Sequence, residues 1–199
     1  MGIYGGHPPT LIDSIVFIDG KNLVCRFQEM AEEKSIRISN EYLTEKNIEY
    51  VKDKFVWSKA MNFTFPALGM KKFDVIRAYY YTFCNPQHYE ELSKKISLTQ
   101  IENRRALTLN PVILNGLNKQ RNFKGDDIKI CIDSIEHALN SNIQTFYFVT
   151  GDGDFLPLIE KIQKMGKYVF VTAFSKGLNE NLKIKADFFH LLDSYFFNE

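Results

Sequence analysis

Ile15-Val16-Phe17-Ile18-Asp19-Gly20-Lys21-Asn22 and Phe146-Tyr147-Phe148-Val149-Thr150-Gly151-Asp152-Gly153-Asp154-Phe155 share one design, an apolar run that ends in acids and glycine. Runs of four to six residues rich in β-branched and aromatic side chains, followed by a glycine turn and a helical pattern, are buried parallel strands of an α/β sheet. The aspartates therefore fall at strand C-termini, the rim where open α/β sheets bind their ligands. Several carboxylates meeting there without an obvious basic partner point to a divalent metal.

The rest of the chain alternates in the same way. After the strand 15–19, Leu23, Phe27 and Met30 recur at helical spacing, and Ile48, Val51 and Phe55 predict a second helix from Thr44 to about Met61. Residues 62–70, with Phe65-Pro66 and Gly69, read as a connection of no definite form. Val75 to Tyr81 is a strand; Asn85-Pro86 starts a helix that runs to about Arg105, and Val112 to Leu114 is a short strand. A helix from Asp126 to Leu139, the strand 145–149, a helix 155–165 closed by Gly166, a strand Tyr168 to Phe174 and a final helix from about Asn179 complete the pattern. The expectation is a three-layer α/β/α sandwich on a mostly parallel central sheet, in one domain spanning 1–199.

Composition narrows the function. The 199 residues are 45% hydrophobic and 14% aromatic, enough for one well-buried core, and 25 Lys+Arg against 24 Asp+Glu leave a net charge of +1. A nucleic-acid face must then come from segregated charge. Cys25, Cys84 and Cys131 are odd in number and lack CxxC spacing, which indicates a reduced setting. MGIYGGHPPT has neither a basic n-region nor a long apolar h-region, and no apolar stretch reaches spanning length, so a soluble cytoplasmic protein without a membrane role is expected.

Each acid also has a local reading. Asp19 fits the cap of the helix after it, and one of Asp152 and Asp154 must cap the helix at Phe155, where Pro157 falls in the first turn. One cap does not require two carboxylates, and a pair two positions apart repels unless a cation or donor compensates. Lys124-Gly125-Asp126-Asp127 opens a helix, where the dipole favours acids. On a helical wheel Ile128, Cys131, Ile132, Ile135, Ala138 and Leu139 form the expected buried stripe. Asp127 borders that stripe, with Asp126 and Asp133 opposite. Asp127 is thus the site candidate, Asp126 the cap, and Asp133 a solvated or supporting residue.

Taken in order, Phe17-Ile18-Asp19-Gly20-Lys21-Asn22-Leu23, Lys124 to Asp133, Val149 to Leu158 and Gly166-Lys167 resemble the NYN family of PIN-like (LabA-like) nucleases. The resemblance covers 15–30 and 120–193, with about 40–72 as a divergent or inserted segment. It implies metal-dependent phosphodiester hydrolysis, with Asp19, Asp127, Asp152 and Asp154 as catalytic metal ligands for Mg2+ or Mn2+. Asn22 and Thr150 would be polar neighbours of metal or substrate, and the family's frequent second helix aspartate falls on Asp133. The chain departs from the family in carrying Gly153 where a serine is common and Asp126 where a small apolar residue is usual.

RNA is the expected partner, single-stranded or structured; other nucleic acid and a homo-oligomer are admitted beside it. Lys119, Arg121 and Lys124 would contact phosphates and Phe123 would stack on a base, just before the helix that carries Asp127. Other chemistries fit worse. A G-x-S-x-G elbow is missing, and His7, His88, His137 and His190 lack zinc-ligand spacing. A haloacid-dehalogenase-type phosphatase is opposed by Leu156 two places after Asp154, and an EF-hand by Leu156 and Gln163 at ligand positions. A non-catalytic binding module on the same fold is the runner-up, weighed against the survival of all four acids.

Overall fold

A computed structural model describes residues 10–61, 63, 71–101, 106–116, 125–140 and 142–197. The elements run β1 (Thr10–Asp19), α1 (Gly20–Glu33), α2 (Asn40–Glu45), β2 (Ile48–Val51), β3 (Phe55–Ser58), β4 (Lys71–Cys84), α3 (Tyr89–Leu98), β5 (Gln100–Ile101) and β6 (Leu107–Asn115). There follow α4 (Gly125–Asn140), β7 (Thr145–Val149), a 3-10 turn (Gly153–Phe155), α5 (Leu156–Lys164), β8 (Tyr168–Ala173), α6 (Glu180–Lys185), β9 (Phe188–Leu191) and α7 (Asp193–Phe196).

Among the described residues seven strands make one sheet in the order β5-β6-β4-β1-β7-β8-β9, parallel except for the β5/β6 pair. After β1 the chain steps outward through β4 to β6; it then returns across β1 to β7 and steps the other way. The gap between the C-terminal ends of β1 and β7 is therefore the topological switch point, the crevice where open α/β sheets place ligands.

Alternation along β1 divides the interior in two. Val16 and Ile18 pack with Leu23, Val24 and Phe27 of α1 and with the β2/β3 hairpin. Ile15 and Phe17 face the layer of α4, α5 and α6, where the Phe17 ring stacks against Tyr79, Tyr81, Phe146 and Phe148. This stack spans three adjacent strands, β4, β1 and β7, and gives α4 a flat aromatic floor. Gly166, at φ 77°, ends α5 in the left-handed region that an L side chain resists.

Three expectations about elements fail. The helix read from Thr44 to Met61 is instead the short α2 and an antiparallel β2/β3 hairpin turning at Asp53, at φ 60°. Phe55, Val56 and Trp57 are all buried, so no amphipathic helical face exists there. The helix read to Arg105 stops at Leu98, and Gln100–Ile101 pairs as the edge strand β5. The helix read from Asn179 ends at Lys185, and Phe188–Leu191 joins the sheet beside β8 as β9. Among the described residues no helix is long and apolar enough to cross a membrane.

Candidate metal centre at the switch point

Asp19 ends β1 and caps α1: its Oδ1 accepts the backbone N–H of Asn22 at 3.0 Å and its Oδ2 accepts the Thr150 hydroxyl at 3.0 Å. Gly20 is required beside it, because a Cβ there would run into the Tyr80 ring and the Tyr81 carbonyl oxygen. On the opposite wall, Thr150 Oγ1 also accepts the Asp152 N–H at 3.2 Å, and Asn22 Oδ1 accepts the Gly151 N–H at 3.1 Å. The two motifs are thus tied together by side chains of both. Asn22 and Thr150, expected near metal or substrate, join the β1 and β7 ends and orient Asp19.

Across the crevice stands the first turn of α4. Asp19, Asp126 and Asp127 each bring a carboxylate oxygen within 4.8 Å of the others. Asp19 is almost fully buried, and its carboxyl is pushed up to about 7. Burial is the largest cause; Asp127 and Asp126 add to it, while the bonds from Asn22 and Thr150 oppose it. At 4.8 Å and an effective dielectric of about 20, each ionised pair costs about 3.5 kcal/mol. Three ionised carboxylates together would cost an amount comparable with the whole folding stability of a domain, so the cluster calls for a cation or a proton.

The geometry corrects the wheel reading of α4. Asp126 is 1% exposed, on the buried row Asp126, Ile130, Ser134, Ala138, and so does not lie opposite the core. Ile128, Ile132 and Leu139 are 58%, 55% and 69% exposed rather than buried. Beside the packing of Ile130, Cys131, Ile135 and Ala138, a polar contact to the sheet accompanies this rotation. Asp133 accepts the Tyr81 hydroxyl at 2.9 Å and the Lys129 ammonium at 2.6 Å, which turns it toward β4 and away from solvent. Burial, then Asp133, holds the Tyr81 phenol far above its usual range. Apolar periodicity alone does not register a helix whose acids are needed beneath it.

Both Asp126 oxygens are buried with no hydrogen-bond partner among the described residues. Buried carboxylates are normally satisfied, so these oxygens call for a proton, a water or a cation. An all-carboxylate oxygen set suits a hard cation such as Mg2+ or Mn2+ and disfavours softer metals. The residues present therefore fit the metal implied by the sequence.

Asp152 and Asp154 stand outside the three-acid group. Asp152 caps the 3-10 turn, its Oδ1 accepting the Asp154 N–H at 2.9 Å, which is the capping role open to it from sequence. Asp154 is exposed and shares with Asp127 a groove of about 740 Å³ along α4, walled by Ile128, Cys131, Ile132, Ile135 and Leu139. At Gly153 the Asn179 side-chain amide fills the space a Cβ would need, so a serine here would have to displace it. Lys119, Arg121, Phe123 and Lys124 lie outside the described residues.

Comparison with known proteins places this arrangement in a wider group. A family model described as NYN domain matches residues 14–193. An uncharacterised protein of Methanocaldococcus jannaschii is 35% identical over 77 residues, 39% of this chain and 32% of its own length, so the match spans about a third of that relative. A solved structure of a protein of unknown function from Vibrio parahaemolyticus superposes with a TM-score of 0.53 at 20% identity, covering 93% of this chain and 95% of that one. That likeness shows the fold, an α/β sandwich on a mostly parallel sheet.

Proposed function

Because the chain belongs to the NYN domain family of the PIN-like nuclease superfamily, we propose that it is a divalent-metal-dependent endoribonuclease acting on single-stranded or structured RNA. The observation that carries this reading is the meeting of Asp19 and Asp127 at the switch point, in a cluster whose charge calls for a cation or a proton. In the proposal Asp19 and Asp127 hold Mg2+ or Mn2+, with Asp152 and Asp154 on the facing loop completing the acidic rim. A cation held there would supply activation of a water for attack on phosphorus and would offset charge on the phosphate and leaving oxygen.

The protein's own share is orientation. Asn22 and Thr150 hold the Asp19 carboxylate from two sides, and the Tyr81–Asp133 bond sets the rotation of α4 and thereby the aim of Asp127. Asp154 stands at the groove where a scissile phosphate would enter. Lys119, Arg121 and Lys124 would neutralise neighbouring phosphates, with Phe123 as a stacking surface, since they precede α4 directly in the chain. The exposed aliphatic wall of the groove favours an unpaired strand: single strands present base faces to an apolar surface, whereas a duplex stacks them inside. A reduced, cytoplasmic setting suits the three free cysteines.

The test is incubation with defined single- and double-stranded RNA and DNA, in Mg2+, Mn2+ or chelator, beside Asp127→Asn and Asp152→Asn. Cleavage of RNA that needs the cation and is lost in both variants is expected. Wild-type, chelator-sensitive cleavage by both variants would refute the site. Tight RNA binding with no cleavage under any condition would instead favour a binding module, the reading that the open apolar face of α4 by itself supports.

A further inference from the structure

We propose that Asp126 is a direct ligand of the metal, so that this chain holds its cation with a tri-carboxylate set of Asp19, Asp126 and Asp127. The inference rests on the metal-dependent reading above but goes beyond it, since a small apolar residue is usual at the position matching Asp126 in the resembling family and Asp126 is no part of the expected set.

Three observations carry it. Asp126 is 1% exposed, and both of its oxygens lack a hydrogen-bond partner among the described residues. One of them lies within 4.8 Å of oxygens of both Asp19 and Asp127, so the three can close on one ion. Successive helical residues point about 100° apart, and two neighbours can face one ion only where the helix end itself abuts the site. Asp126 and Asp127 satisfy that condition, being the second and third residues of the sixteen-residue α4.

The simple alternative is that Asp126 serves as the cap of α4. A cap carboxylate accepts a backbone N–H of the first turn, and neither Asp126 oxygen accepts a hydrogen bond from any described residue. The second alternative is a structural acid held by a cation or hydroxyl of the core, as Asp133 is by Lys129 and Tyr81; among the described residues Asp126 has no such bond. What remains is a carboxylate aimed into the acidic crevice. It adds an anionic ligand at a position where the resembling family usually has a small apolar residue, so this protein should hold Mn2+ more tightly than the same fold without it.

The experiment measures Mn2+ binding by calorimetry and by electron paramagnetic resonance on the full chain, with no substrate present. Wild type is compared with Asp126→Asn, Asp126→Ala, Asp127→Asn and, as a control away from the cluster, Glu45→Gln at an exposed acid of α2; melting in chelator verifies that each folds. Both Asp126 variants should bind Mn2+ at least tenfold more weakly than wild type, with a changed resonance signal, and should melt higher than wild type in chelator because a buried uncompensated carboxylate is gone. Should Asp127→Asn lose the ion while both Asp126 variants keep wild-type affinity and signal, Asp126 is no ligand and the inference falls alone. If wild type itself binds no Mn2+, the metal-dependent reading falls with it. Asp126→Ala serves as the second test if the Asn variant does not fold, because a small apolar residue is usual there in the resembling family.

Discussion

Replacing Asp19 by asparagine should make the metal-free protein more stable at neutral pH, and the gain should depend on pH in a calculable way. The Asp19 carboxyl is raised from 3.8 to about 7 by burial and by the two acids of α4. The folded state therefore binds a proton that the unfolded chain has released, and stability falls as pH rises between those values. At 1.36 kcal/mol per pH unit the full loss is about 4 kcal/mol, of which roughly 2.5 kcal/mol falls between pH 5 and pH 8. The stabilisation is fully present below the unfolded pKa of 3.8 and gone above the folded value of about 7. The replacing amide keeps an acceptor for the Asn22 N–H, and its NH2 can donate to Thr150 Oγ1 once that hydroxyl rotates, so shape is retained. Urea denaturation in chelator at pH 5 and pH 8 is the assay. Wild type should lose roughly 2.5 kcal/mol more than Asp19→Asn across that interval, or about 5–10 °C of melting temperature for a chain of this size. Saturating Mn2+ should abolish the difference by holding Asp19 ionised without penalty. Parallel pH dependences of the two proteins in chelator would refute the argument that Asp19 is buried among uncompensated acids.

Gly20→Ala should destabilise by about 2–4 kcal/mol in urea melts, because the new methyl meets the Tyr80 ring and the Tyr81 carbonyl where neither can retreat from the packed sheet. Tyr81→Phe should cost about 1–3 kcal/mol by orphaning one oxygen of the partly buried Asp133, and Asp133→Asn should be milder because an amide oxygen can still accept the hydroxyl. Joint replacement of Lys119, Arg121 and Lys124 by alanine, on an Asp152→Asn background, should weaken single-stranded RNA binding and flatten its salt dependence by up to about two units of log–log slope, about 0.7 per lost phosphate contact. An unchanged slope would place the RNA on another face.

The amino-acid sequence by itself determined the two central strands, the acids at their ends and the strand–helix alternation around them. Buried parallel strands advertise themselves: Ile15 to Ile18 and Phe146 to Val149 are apolar on both faces because helices cover both faces, and no other common element needs that pattern in four or five residues. The glycine after Asp19 was legible for a similar reason, since the chain must turn where the neighbouring strand leaves no room for a side chain. Elements whose burial comes from distant partners are not legible in this way. Phe55 shares helical spacing with Ile48 and Val51, yet Phe55 to Trp57 form a strand because the hairpin tucks against α1 and the Tyr80 hydroxyl, which accepts the Val56 N–H at 3.1 Å. Phe188 to Leu191 is a strand because β8 offers it a paired edge.

Only the tertiary structure decided which acids face one another. A wheel drawn from apolar positions turns α4 by its isoleucines, but the helix is turned by Tyr81 pulling on Asp133 and by the crevice receiving Asp126, contacts 52 residues apart or more. The physical reason is that polar groups register an element through specific, directional partners, and those partners are chosen by the fold, not by spacing along the chain. From its neighbours in sequence Asp126 reads as a cap, and it is the most buried acid of the cluster only because β1 and α4 are brought to the same end of the sheet.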